Sequence, residues 1–164
     1  MALVKGPFTI KYGANQLEDV SEISWDYSSD SSNPTTIDGR TFDIPTTTSA
    51  SIDVTLLGAD ITALGLIFPS YLVAAGGKMS TGETTTYDAF DCKAMSACGS
   101  VALKDDLEVI GCETTTRLVN ASAKISSIDY EDNVVQTVTV TFTGNPTAGQ
   151  AVFQLYKNDS LTSA

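Results

Sequence analysis

A mostly β fold with one short helix follows from three features of the sequence. Apolar residues recur at every second position through most of the chain. Threonine and β-branched residues crowd those runs. One stretch alone switches to helical spacing. The expected architecture is an antiparallel β-sandwich or barrel with one short flanking α-helix, built as a single domain over residues 1–164.

Each element can be justified in order. Phe8, Ile10 and Tyr12 alternate with Thr9 and Lys11, and the run stops at Gly13-Ala14-Asn15. Ile23, Trp25 and Tyr27 alternate with Ser24 and Asp26. The eleven residues Ser28 to Asp38 are polar, where about two to five residues suffice to join strands, so a long loop is predicted there. Ile52, Val54 and Leu56 alternate with Asp53 and Thr55. A helix is predicted from Asp60, a plausible N-cap, to Phe68, with Ile61, Leu64 and Phe68 on one face and Pro69 as its stop. It lacks a pronounced polar face and is expected to plug one side of the sheets. Gly76–Thr86 and the weakly patterned Ala94–Asp106 read as loops. Val119, Ala121, Ala123 and Ile125 form one late strand; Val138, Val140 and Phe142, against Thr137, Thr139 and Thr141, form another. Asp129–Asn133 between them reads as a hairpin turn. The polar tail 157–164 is expected to fray.

The charge balance narrows the function. Nine Lys and Arg face twenty Asp and Glu, a net charge of −11 and a pI near 4.1. Such a surface repels phosphate backbones and anionic lipid, which disfavours tight nucleic-acid or membrane binding. The first ten residues are too short and polar for a signal sequence, and the apolar stretch Ile61–Ala75 is too short to span a bilayer. A reducing cytoplasm is therefore expected for folding. Cys92, Cys98 and Cys112, odd in number and without framework spacing, are expected to be free thiols.

The chemistry of most catalytic classes is missing. Without histidine there is no Ser-His-Asp or Cys-His arrangement, and the cysteines lack CxxC spacing for zinc. Asp105, Asp106 and Glu108, and Asp129, Glu131 and Asp132, offer paired carboxylates for glycoside hydrolysis, but both clusters read as solvated turns in a chain with one Trp. Asp26-x-Ser28-x-Asp30 resembles the start of a calcium loop, but Ser31 stands where Gly is needed and Ile37 where a bidentate Glu is needed. Gly76-Gly77 lacks the spacing of a phosphate cradle. No catalytic residue, cofactor or metal is expected.

Three stretches, in order and spacing, resemble the major tail (tail tube) proteins of long-tailed bacteriophages. They are Thr35–Phe42 leading into Thr48–Leu56; Leu56–Val73 with Gly77 and Ser80-Thr81-Gly82; and Arg117–Ala121, Tyr130 and the closing Thr137–Gly144. The likeness covers about Pro7 to Gly144, and Asp88–Asp106 matches nothing. It implies a β-sandwich or barrel whose strands join those of neighbours into a hexameric ring, and rings stacked into a tube. The architecture also serves contractile-tail tubes and type VI secretion rings. A long loop after the second strand would bridge rings. That role falls on Ser28–Arg40, with Asp30, Asn33, Pro34, Thr36, Asp38 and Arg40 as contact residues. The implied partners are further copies of the chain and other phage tail proteins, with no membrane. The implied location is the virion tail, assembled in the host cytoplasm. DNA would pass through without specific binding. Physical reasoning adds that an acidic or neutral wall lets DNA slide, and Asp53, at a polar strand position, is the candidate lumen-facing residue. The competing class is a β-sandwich binding or adhesion module, disfavoured by the missing secretion signal and the few aromatics.

Overall fold

A computed structural model of the chain describes residues 8–18, 20–41, 44–57, 61–92, 104–130, 136–159 and 161. Its elements are strands β1 (Thr9–Tyr12), β2 (Asn15–Leu17), β3 (Val20–Ser32) and β4 (Ile44–Leu57), then helix α1 (Ile61–Ile67) and a single 3-10 turn at Pro69–Tyr71. Strands β5 (Leu72–Val73), β6 (Ala89–Phe90), β7 (Lys104–Ile110), β8 (Thr114–Asp129), β9 (Thr137–Thr143) and β10 (Phe153–Lys157) follow. All pairings are antiparallel. Eight strands form one sheet in the order β2-β1-β7-β8-β9-β4-β3, with β10 also on β8; β5 and β6 form a small separate ribbon. The sheet does not close into a barrel.

Strand β8 makes the fold a two-layered one. Along one side it pairs with β7 from Thr115 to Ser122. Along the other, β10 covers Thr114–Leu118 and β9 covers Ser122–Asp129. One strand therefore belongs to two sheet halves, and it bends where they part. At the bend Asn120 adopts a φ of 53°, and its N–H donates to the Asp106 carboxylate at 2.9 Å. The register against β7 shifts between Asp105 and Leu107, so Leu118 and Ala121, three apart, both point inward. A bulge of this kind increases local twist and turns the two inner faces toward each other.

The period-two apolar residues supply the core. Ile10, Tyr12 and Leu17 meet Ile52, Val54 and Leu56, with Leu107, Leu118, Val138, Val140 and Phe142 between them. The Tyr12 and Phe142 rings lie 5.0 Å apart across the layers. The Tyr12 hydroxyl donates to the Ala121 carbonyl at 2.8 Å, which satisfies a buried polar group that would otherwise cost stability. Burial pushes the Tyr12 phenol up to about 12, with the negative charge of Asp105 adding to the effect. Helix α1 buries Ala63, Leu64 and Ile67 against this core, as expected for a plug. Its expected N-cap, Asp60, lies outside the described residues, as do Cys98, residues 131–133 of the expected turn and residues 93–103. Cys92 and Cys112 are free and exposed.

Several expectations need correction. Ser28–Ser32 are not loop but the continuation of β3, paired with β4 as far as Ser32↔Ile44. Ser28, Ser29 and Asp30 are exposed and no apolar residue alternates with them, so the sequence carries no period-two signal there. Lys104–Asp106 likewise belong to a strand, β7, and Asp105, Asp106 and Glu108 are strand rather than turn residues. The polarity of Lys-Asp-Asp masked a strand whose only fully buried side chain is Leu107. Strand β10 was hidden because its side chains are mostly exposed. Ile23, Trp25 and Tyr27 do form a strand, but only Ile23 is half-buried, and Trp25 and Tyr27 stay exposed.

Candidate assembly surfaces

The outward face of β3, β4, β9 and the second half of β8 is paved with hydroxyls and carboxylates. Register partners share a face, so Ser24, Asp53, Thr141 and Lys124 form one row across the four strands. Glu22, Thr55, Thr139 and Ser127 form the row on one side of it, and Asp26, Ser51, Thr143 and Ser122 the row on the other. Asp53 is half-buried at the centre, where Thr141 Oγ1 donates to its Oδ1 at 2.7 Å. Thr55 and Thr139 hydroxyls are 3.2 Å apart, and Ser126 bonds Thr141. Carboxylates Glu22, Asp26 and Asp53 face a single cation in these rows, Lys124. The threonines that gave β9 its pattern thus form part of a polar, net-negative face.

The second surface is an arm. β4 pairs with β9 only up to Ser51, yet β3 and β4 stay paired beyond it through Ser28↔Ser49 and Asp30↔Thr47 to Ser32↔Ile44. The strands therefore project as a two-stranded ribbon. The five positions Ser28–Ser32 alone extend it by about 16 Å at 3.3 Å per residue. Its tip is organised. Thr36 N–H donates to Arg40 O at 2.8 Å, Gly39 N–H to Thr36 O at 2.9 Å and Arg40 N–H to Thr36 Oγ1 at 3.2 Å. Thr36 also bonds Asp38, and Arg40 Nε lies 3.3 Å from Asp38 Oδ2. Gly39, at a φ of 83°, permits the turn. Of the residues expected to contact a neighbouring ring, Asn33, Pro34, Thr36, Asp38 and Arg40 cluster at this tip, and Asp30 lies lower, on β3. All are exposed. Sequence reasoning passed over Ile37, fully exposed at the turn; an isoleucine within a wholly polar segment was the available signal.

The third surface is a gap in the sandwich. Between β3 and β10 lies an apolar groove of about 340 Å³ lined by Ile23, Trp25, Val109, Thr116, Phe153 and Leu155. Phe153 meets the Trp25 and Tyr27 rings edge-on at 5.2 and 5.5 Å. Trp25 remains 38% exposed and Leu155 65%.

No arrangement of catalytic type is visible among the described residues. No cluster of three or more metal-ligating side chains occurs there. Glu108 pairs with Arg117 at 3.3 Å, and Arg117 also donates to Tyr156 Oη at 3.0 Å and stacks on its ring at 5.2 Å. Asp106, Arg117, Asn120 and Gln154 line an open polar cleft of about 530 Å³, but the carboxylate and guanidinium are already engaged with their own chain. No described helix is long and apolar enough to cross a membrane.

No known family profile matches the sequence, and no curated protein matches it. Solved structures do resemble the fold over nearly the whole chain. A tube-terminating cap of the anti-feeding prophage shares 13% identity at a TM-score of 0.52, covering 96% of this chain and 95% of that one. A sheath/tube terminator of the PVC extracellular contractile injection system shares 12% identity at 0.56, covering 95% and 97%. A chain of the PVC sheath–tube complex shares 14% identity at 0.55, covering 92% and 88%. At these identities the likeness establishes the fold.

Proposed function

We propose that this chain is a structural subunit, not an enzyme, that assembles with copies of itself into stacked, hexameric rings forming the tube of a phage-type tail. The observation that carries the reading is the end-to-end fold likeness to chains of tube and terminator assemblies. Two features of the molecule support it. No described core residue lies on the projecting arm, and a neighbouring copy would give it a role. The hydroxyl-rich face centred on Asp53 is suited to a lumen, because its net-negative surface offers phosphate backbones no cationic groove to hold. DNA would then pass without specific binding. Tail partners, and a place in the virion tail after assembly in the host cytoplasm, follow from the same reading.

A narrower reading has its own support, since two of the three likenesses are to terminators. A terminator ends a tube instead of extending it, and such a chain would not stack ring on ring. Negative-stain imaging of the purified full chain at rising concentration separates the two. A tube subunit gives stacked rings; a terminator gives single rings. A chain that stays monomeric by size-exclusion at every concentration refutes both.

A further inference from the structure

We propose that Ile37 at the arm tip of one copy inserts into the apolar groove between β3 and β10 of the next copy, a head-to-tail contact that rests on the self-assembly reading above. The two surfaces lack what the other supplies. Ile37 stands fully exposed on a turn already fixed by Thr36, Asp38 and Arg40, so presenting it costs little ordering entropy on binding. Phe153 meets the Trp25 and Tyr27 rings, yet the groove still leaves Trp25, Phe153 and Leu155 partly open to solvent.

The arm tip that fills the groove cannot be the same subunit's own. The groove's rim ends at Tyr27, and the arm leaves from there, with its five further paired positions carrying the tip about 16 Å away. A rigid two-stranded ribbon does not fold back on its own base. Charge selects a second copy of this chain. Subunits of net charge −11 repel, so they meet best at neutral patches. The groove lining contains no charged residue, and the tip's Asp38 and Arg40 neutralise each other. Tip and groove differ, so the contact is heterologous and continues from copy to copy instead of closing as a pair.

Trp25, the single tryptophan, lines the groove and reports its occupancy. The test uses the full-length chain as wild type, Ile37→Asp, Ile37→Val and Leu155→Asp, each checked for fold by circular dichroism. Wild type and Ile37→Val should assemble with a blue shift of Trp25 emission, and Ile37→Asp should do neither. Ile37→Asp keeps a working groove and Leu155→Asp a working tip. Mixing them should restore the blue shift, saturating at a one-to-one ratio, without continued growth. If Leu155→Asp does not fold, the Ile37→Asp and Ile37→Val pair decides alone. Assembly of Ile37→Asp with a wild-type shift overturns the contact and leaves the assembly reading standing. A wild type that stays monomeric with unshifted emission overturns both. A red shift on removing residues 1–7 from monomeric Ile37→Asp means the chain's own N-terminal segment covers the groove, which also overturns the contact.

Discussion

Replacing Tyr12 with Phe tests the bond that joins the two layers. At neutral pH the substitution removes a buried hydroxyl and leaves the Ala121 carbonyl, deep in the core, without its 2.8 Å partner. The expected loss is about 1–2 kcal/mol, because an unsatisfied buried acceptor costs more than the net value of the bond. The pH dependence gives the sharper test. The phenol's folded pKa, about 12, lies above the ordinary 10.0 of a tyrosine. Its proton-linked stability is thus intact below pH 10 and is lost as pH rises from 10 through 12. Linkage puts that loss at about 1.4 kcal/mol by pH 11 and about 2.3 kcal/mol by pH 12. Phe cannot ionise and escapes it. Urea titrations of wild type and Tyr12→Phe from pH 8 to 12 should therefore give stability curves that cross near pH 11, the variant becoming the more stable above. General alkaline repulsion and the other tyrosines act on both proteins and drop out of the difference. A constant difference across this range would show that the phenol ionises equally well folded and unfolded, and the buried-bond account of the layer contact would fail.

Four other outcomes are expected. Phe142→Ala, which empties a fully buried ring site against Tyr12, should cost about 3–5 kcal/mol in denaturant unfolding. Deleting Ser31 to Thr36 should leave circular dichroism of the subunit unchanged while abolishing polymerisation, because no described core residue lies on the arm; long tubes from the deletion mutant would give the arm another role. Assembly, followed by light scattering, should weaken at low ionic strength, where like-charged subunits repel beyond the roughly 8–10 Å screening length of physiological salt. Asp53→Lys should leave tubes intact yet slow DNA ejection from reconstituted tails, since it places a cation at the centre of the proposed lumen wall; unchanged ejection would remove that face from the lumen.

The sequence by itself determined the layer chemistry. Wherever a strand has one buried face, the pleat forces a period of two, so β1, β4 and β9 could be read from Ile10, Tyr12, Ile52, Val54, Leu56, Val138, Val140 and Phe142, all of them buried. The same alternation put Asp53 on the polar face, and Pro69 marked the end of α1. Pattern could not reveal strands whose faces both meet water or whose backbone breaks the alternation. Ser28–Ser32 and β10 are strands because partners satisfy their hydrogen bonds, not because their side chains repeat. β8 puts Leu118 and Ala121 on one face only because Asn120 and the bulge opposite it shift the register. The proposed surfaces divide in the same way. The polar arm residues from Asp30 to Arg40 stood out as a long segment without apolar rhythm. The groove that joins Trp25 to Phe153 and Leu155 brings together residues well over a hundred positions apart, and only the folding of β8 across both layers decides that they meet.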